Sequence, residues 1–114
     1  MQDKYVYRLT PLAVSDIDEA LMYITHKLVN AKAASDLLDK IEQTIDSICV
    51  YPHAFPDCMA FLITDPMIRH TFVGNYVLVY EIRDDDQEIV VLRFRYARTD
   101  LTATPMKKDY ERSE

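Results

Sequence analysis

The sequence predicts a small α+β domain: an N-terminal strand, an antiparallel two-helix hairpin and a three-stranded antiparallel meander, with the helices packed on one face of the sheet. Three observations support this prediction. An alternating run opens the chain, two stretches with a helical period follow, and three alternating runs separated by turn residues come last. The 114 residues suffice for one domain with a sizeable core. We expect this domain to span residues 1–103, before a polar tail at 104–114.

The first strand is predicted from the run KYVYRL at residues 4–9, in which side chains alternate between two faces. One face carries Tyr5, Tyr7 and Leu9. The other carries Lys4, Val6 and Arg8. This pattern is typical of a half-buried strand.

The first helix is predicted to begin at Thr10, because a hydroxyl cap followed by Pro11 is a common helix start. Asp16 and nearby acids lie toward its positive end, where a carboxylate is modestly favourable. The helix is expected to end near Leu28. Its apolar stripe consists of Leu12, Ile17, Leu21, Ile24 and Leu28.

Asn30 is the expected cap of the second helix, which packs antiparallel to the first. Its stripe consists of Ala34, Leu37, Leu38, Ile41, Ile45 and Ile48. Residues 51–66 contain three prolines and are predicted as a long loop, with a possible short strand at 61–63. Three strands follow in MIRHTFV, YVLVYEI and EIVVLRFRY, with turns at Gly74–Asn75 and at residues 84–87. The tail is interpreted as a short helix or a disordered segment.

The composition excludes several classes of function. A single glycine excludes a glycine-rich phosphate loop and a dinucleotide-binding fingerprint. No apolar run approaches the roughly 20 residues that span a bilayer, and the start of the chain lacks the features of a signal peptide, so we expect a cytoplasmic protein without membrane contact. The net charge of −6 is unfavourable for nucleic-acid binding, so any such contact has to be local.

The two cysteines do not form a recognisable framework. Cys49 lies on the apolar face of the second helix and Cys58 in the loop. A metal site formed with His53 would lack both a known spacing and a fourth ligand. We therefore expect a buried structural thiol, no metal and no cofactor.

The segment RFRYARTD at residues 93–100 carries three of the seven arginines. Strict alternation places Val90, Leu92, Phe94 and Tyr96 under the helices. It places Ile89, Val91, Arg93, Arg95 and Ala97 on the open face, together with Val77, Val79 and Glu81 of the preceding strand. Such a half-apolar face suggests a covering partner. The alternative is that Arg93 simply forms an ion pair with Glu81 across the strands.

Enzymatic machinery is sparse in the sequence. No serine has a base in its sequence context, so a nucleophilic triad is not indicated. A ribonuclease requires less: a base, an acid and cations for the phosphate. His70, the one histidine on a predicted strand of the sheet, is the candidate acid or base.

The chain resembles the RelE/ParE superfamily, the toxins of type II toxin–antitoxin modules that are also called plasmid stabilisation proteins. The resemblance covers most of residues 5–101 and includes the opening YRLTPLAVSDIDEALMYI, the second helix, GNYVLVYEI and EIVVLRFRYARTD. It implies a curved antiparallel sheet with a helical hairpin on one face. It also implies growth inhibition by the toxin, and a cognate antitoxin that lies across the toxin as a possible hetero-oligomer.

The resemblance leaves two activities open. RelE-like members are metal-independent mRNA interferases that cleave messages on the translating ribosome, whereas ParE-like members inhibit DNA gyrase. If the chain is a ribonuclease, the implied catalytic residues are Arg98, Arg69 and His70. Val77 stands where the RelE pattern has an arginine, and only Arg98 matches a family arginine directly. We therefore favour gyrase slightly, expect Arg93, Arg95, Val77 and Val79 to bind target or antitoxin, and retain an inactive antitoxin-binding member as a further alternative.

Overall fold

The computed structural model describes residues 4–55 and 67–97. Strand β1 is Val6–Leu9, helix α1 is Pro11–Met22, and a π-helical segment, Tyr23–Lys27, extends α1. Helix α2 is Ala31–Val50, and a 3₁₀ turn follows at Pro52–Ala54. Strands β2, β3 and β4 are Ile68–Val73, Tyr76–Arg83 and Glu88–Tyr96, with a second 3₁₀ turn at Asp84–Asp86. The predicted α+β class and element order are confirmed.

The four strands form one sheet in the order β1-β4-β3-β2. β2, β3 and β4 form the predicted antiparallel meander, whereas β1 pairs with β4 in parallel. The expectation of a wholly antiparallel sheet is therefore wrong. The helical hairpin and two further strands lie between β1 and β4 in the chain. This connection is long enough for the crossover that a parallel pair of strands requires.

Both predicted helix caps are present. The Thr10 hydroxyl accepts a hydrogen bond from the Ala13 amide at 3.1 Å and donates one to the Leu92 carbonyl at 2.9 Å. The Asn30 side-chain oxygen accepts from the Ala33 amide at 3.0 Å. Thr10 thus starts α1 and also attaches it to β4.

The buried face of α1 differs from the predicted stripe. Its buried residues are Ala13, Ile17 and Ala20, whereas Leu12 and Leu28 are about half exposed. The two alanines have small side chains that let the helix pack closely on the sheet, and Leu12 lies outside this buried face. Regular α-helix also ends at Met22 rather than near Leu28. In α2 the predicted stripe is confirmed apart from Leu38, which is 39% exposed.

The buried apolar residues of the described part of the chain form two clusters, one on each face of the sheet. The larger one lies under the helices and includes Leu78, Tyr80, Ile82, Ile89, Val91 and Phe94. The smaller one lies on the opposite face, termed here the second face, and consists of Ile68, Val77, Val79, Val90 and Leu92, with Ala97 packed against it.

The face assignment from strict alternation is therefore wrong for the first half of β4. Ile89 and Val91 lie under the helices, while Val90 and Leu92 lie on the second face. The cause is a bulge: Tyr80 pairs with Val91 but Val79 pairs with Arg93, which leaves one extra residue in β4. For β3 the predicted alternation is confirmed.

Several predictions lie outside the described residues. They are the strand at 61–63, most of the loop at 51–66, Cys58, the tail at 104–114 and the domain boundary at 103. Cys49 is buried in the core as expected, and burial raises the pKa of its thiol.

Candidate functional site

The second face of the sheet carries the residues for which binding roles were expected. Val77 and Val79 are fully buried there in the small apolar cluster. His70 pairs in register with Val79, and Phe72 with Val77, so both lie on this face too. The rings of His70 and Phe72 meet edge to face with centroids 5.7 Å apart, and Phe72 is 54% exposed. On this face the ring of Phe72 is therefore accessible to a partner, whereas the two valines are not.

Arg93 forms an ion pair with helix α1. Its Nε and Nη2 donate to the Asp16 carboxylate at 2.7 and 3.1 Å, and the Phe94 amide donates to the same carboxylate at 3.0 Å. Both side chains of the pair are 9% exposed. Glu81, the partner considered for Arg93 from the sequence, lies opposite Val90 in the register and 3.4 Å from Arg83.

This contact has a clear structural cause. β1 ends at Leu9, opposite Val91, and within residues 4–55 and 67–97 no strand pairs with the last part of β4 on that side. α1 runs along this edge instead, and Asp16 accepts the Phe94 amide that a further strand would have paired. Sequence reasoning assigned Asp16 to the helix dipole and missed this role. The sequence did contain one indication of this role. Asp16 lies three residues after Ala13 and four before Ala20, so helical spacing puts it on the same face as these two alanines, which the structure buries.

Arg95 lies at the same edge of β4, beside a cluster of aromatic rings. It lines a cavity of about 230 Å³ whose walls include Glu19 and Tyr96. The ring of Tyr76 stacks on Phe94 with centroids 4.8 Å apart and meets Tyr96 edge to face at 5.4 Å. Burial, and secondarily the neighbouring tyrosines, raise the pKa of Tyr76.

An adjoining cavity of about 630 Å³ shares two of these tyrosines. It is lined by Tyr23, Ile24, Leu28, Asn75, Tyr76 and Tyr96. The end of the helical hairpin and the end of the β3–β4 pair therefore enclose a tyrosine-rich cleft beside Arg95.

Arg69 and His70, grouped as candidate catalytic residues, lie on opposite faces of the sheet. Arg69 pairs in register with Tyr80, a residue of the helix-facing core, and His70 pairs with Val79 of the second face. The Nη1 of Arg69 donates to the carbonyl of Phe55 at 2.8 Å. Arg69 thus holds the segment after α2, and the structure does not bring it together with His70.

Two further arginines of the sheet, Arg8 and Arg83, have acidic partners. Arg8 of β1 pairs with Glu88 at 3.1 Å. Arg83 lies 3.4 Å from Glu81 and 3.8 Å from Glu88. These four side chains form one charge network across β1, β4 and β3, in which each arginine has a carboxylate beside it.

A second polar cluster joins the residue before β1 to the two 3₁₀ turns, at the end of the sheet away from the tyrosine cleft. The Tyr5 hydroxyl donates to Asp84 at 2.7 Å, and Nε2 of His53 lies 3.1 Å from both carboxylate oxygens of Asp84. The hydrogen bonds from Tyr5 and then His53 lower the pKa of Asp84, and the Asp84 contact raises the pKa of Tyr5. We interpret this cluster as structural: its hydrogen bonds hold these segments together. Asp85 and Asp86 beside it would repel an anionic substrate.

Arg98, the candidate with the most direct family counterpart, lies outside the described residues. Within residues 4–55 and 67–97, no three His, Cys, Asp or Glu side chains are arranged to hold a metal ion. In that same part of the chain, no helix combines the length and the apolar character that crossing a membrane requires.

Comparison with solved structures defines the class of fold. A chain of the chromosomal ParDE TA system from P. aeruginosa aligns with a TM-score of 0.65 at 13% identity, covering 83% of this chain and 98% of that one. A chain of the toxin–antitoxin complex RelBE2 from Mycobacterium tuberculosis aligns with a TM-score of 0.53 at 18% identity, covering 82% and 99%. The protein has the fold of these toxin–antitoxin components.

The family model described as the ParE toxin of the type II toxin–antitoxin system, parDE, matches residues 7–101. The chain therefore belongs to the ParE toxin family, within the RelE/ParE superfamily that the sequence resembles. A search among curated proteins finds no match.

Proposed function

We propose that this ParE-family toxin is neutralised by a cognate antitoxin and that it arrests growth by inhibiting DNA gyrase through protein–protein contact. The observation that carries the choice of target is that four arginines of the described residues are engaged in contacts within the fold. Arg93 is buried against Asp16, Arg83 and Arg8 lie against carboxylates, and Arg69 binds a backbone carbonyl.

A ribonuclease needs cations and a proton-transfer group that converge on one phosphate. Arg69 and His70, the two candidates that lie within the described residues, face opposite sides of the sheet, which counts against such a convergence. The net charge of −6 also opposes docking onto ribosomal RNA. Inhibition of a protein target requires neither feature and supports the gyrase assignment.

The antitoxin is proposed from family membership and from the two structural neighbours, both described as toxin–antitoxin systems. The aromatic surface at Phe72 and the tyrosine cleft beside Arg95 are the accessible surfaces near the expected binding residues. Arg93, Val77 and Val79 are buried, so we propose that they support a binding surface from beneath.

The test is a supercoiling assay with purified gyrase and the full chain, run beside a ribosome-dependent mRNA cleavage assay. The proposal expects loss of supercoiling with accumulation of cleaved DNA, and intact messages. Message cleavage that is lost on Arg98→Ala, together with normal supercoiling at a large toxin excess, would establish the ribonuclease instead. Normal growth on expression without antitoxin, with neither activity in vitro, would leave an inactive family member.

A further inference from the structure

The tyrosine-rich cleft beside Arg95 has the dimensions of a small-molecule site. It encloses about 630 Å³, within the roughly 300–1,000 Å³ typical of pockets for small molecules and cofactors. One side is the end of the helical hairpin, and the other is the end of the β3–β4 pair with the turn before β3. The described walls consist of Tyr23, Ile24, Leu28, Asn75, Tyr76 and Tyr96.

No charged side chain is found among these described walls. Glu19 and Arg95 line the smaller adjoining cavity, where their opposite charges favour an ion of neither sign, and Asp16 beside them is paired with Arg93. Burial, and secondarily the neighbouring tyrosines, raise the pKa of Tyr76, so its phenol stays uncharged at neutral pH. An ionised ligand would lose water here without gaining a partner of opposite charge. The cleft therefore favours an uncharged molecule.

The aromatic rings at the base of the cleft favour a flat molecule. Tyr76 is stacked on Phe94 with an interplanar angle of 9° and centroids 4.8 Å apart, so Phe94 covers one face of the Tyr76 ring. Tyr76 lines the cleft, whereas Phe94 lines only the smaller cavity. Tyr96 meets Tyr76 at 69°, so it stands beside the stack rather than on it. A flat ring that enters the cleft can therefore extend the stack on Tyr76 and meet Tyr96 edge to face.

We propose that this cleft binds a free small molecule with a flat, uncharged aromatic system of about two fused rings, stacked on Tyr76. Ile24 and Leu28 contact its apolar edge, and the Tyr23 hydroxyl and the Asn75 amide are the groups that orient its polar substituents. Tyr23 and Leu28 are 53% and 57% exposed, so the ligand also covers apolar surface that water otherwise contacts. This small-molecule site goes beyond the toxin activity and is independent of which target the toxin has.

The test is an NMR titration of the full chain with 2-naphthol and with decahydro-2-naphthol. The two probes share one carbon skeleton and one hydroxyl and are uncharged at neutral pH, but only 2-naphthol is flat. We expect 2-naphthol to shift the amide resonances of Tyr23, Asn75 and Tyr76. We also expect it to bind about fivefold more tightly than the saturated probe, because only the flat ring can stack.

Two pairs of variants separate stacking from general apolar contact. Tyr76→Leu should remove the preference for 2-naphthol, whereas Tyr76→Phe, which keeps the ring, should retain it. Because Tyr76 is partly buried, the exposed Tyr23 provides a second pair: Tyr23→Leu should weaken 2-naphthol binding severalfold, and Tyr23→Phe by no more than about twofold. Tyr7→Leu is the matched control, since Tyr7 is 51% exposed and lies outside the cleft.

Four outcomes would overturn the proposal. They are absence of binding up to the solubility limit of 2-naphthol, equal affinity for the two probes, shifts centred outside the cleft, and weakening by Tyr7→Leu as large as that by Tyr23→Leu. Equal affinity would show apolar burial without recognition of a flat ring. None of these outcomes bears on the supercoiling assay, so failure of this proposal is distinguishable from failure of the proposed function.

Discussion

Asp16 is the residue whose removal tests the packing of α1 against the sheet most directly. Its carboxylate accepts three hydrogen bonds, two from the Arg93 guanidinium and one from the Phe94 amide, at 2.7–3.1 Å. Breaking a buried ion pair from one side typically costs about 3–5 kcal/mol, because the remaining charge stays buried without compensation. Asp16→Asn keeps the shape and one acceptor oxygen, so we expect a loss of about 2–4 kcal/mol in the free energy of unfolding.

The assay is urea denaturation followed by circular dichroism, with the denaturant slope unchanged if only the native state is affected. Asp18→Asn is the matched control two residues along the same helix. Asp18 is exposed and lacks a partner in the described residues, so its substitution should change stability by no more than about 0.5 kcal/mol.

A double-mutant cycle identifies the cause. If the ion pair is responsible, Asp16→Asn and Arg93→Met together should cost less than the sum of the single changes by about 1–3 kcal/mol. A loss below about 1 kcal/mol for Asp16→Asn, or strict additivity in the cycle, would refute the role assigned to this contact.

Three further predictions concern side-chain hydrogen bonds that hold a helix end and two turns in place. Thr10→Ala should destabilise by about 1–2 kcal/mol and Thr10→Ser by much less in the same urea assay, because serine retains the capping hydroxyl. Tyr80→Phe removes the buried hydrogen bond from the Tyr80 hydroxyl to the Pro52 carbonyl, 2.9 Å long, and should cost about 1 kcal/mol. Because the pKa of Asp84 is lowered in the native state, its contribution is present above the ordinary carboxyl pKa and is lost as the pH falls through the native value. Asp84→Asn should therefore flatten the acid limb of the stability–pH curve, and an unchanged limb would contradict this.

Local signals predicted most of the elements, and the failures have identifiable physical causes. The caps at Thr10 and Asn30 and the turn at Gly74 depend on a few neighbouring atoms, so short sequence patterns suffice to find them. Gly74 has a φ of 60°, which glycine adopts without strain. The bulge at Leu92 has no comparable signal, because it arises from the pairing of β4 with β3 rather than from either strand alone.

Contacts between distant segments also escaped prediction for the candidate site. Asp16 and Arg93 are 77 residues apart, and their pairing follows from the length of β1, which leaves the edge of β4 open to α1. The positions of Arg69 and His70 on opposite faces follow from strand alternation, which was available from the sequence. They were grouped because both fall in the region where the family pattern has lysines, and a family pattern does not specify the face.

The bulge and the short first strand together decide how the basic segment of β4 contributes to function. The bulge shifts the first half of β4, so that Val90 and Leu92 lie on the second face. Beyond the bulge Phe94 lies under the helices, and Arg93 and Arg95 pair in register with Val79 and Val77. β1 ends opposite Val91, before this part of β4, and Asp16 neutralises the guanidinium of Arg93 there. Arg93 therefore has a structural role. Its substitution should lower the free energy of unfolding more than it changes the affinity for the target. Arg95, beside the tyrosine cleft, is the arginine of this strand at which a substitution should separate the two effects, with binding reduced and unfolding little changed.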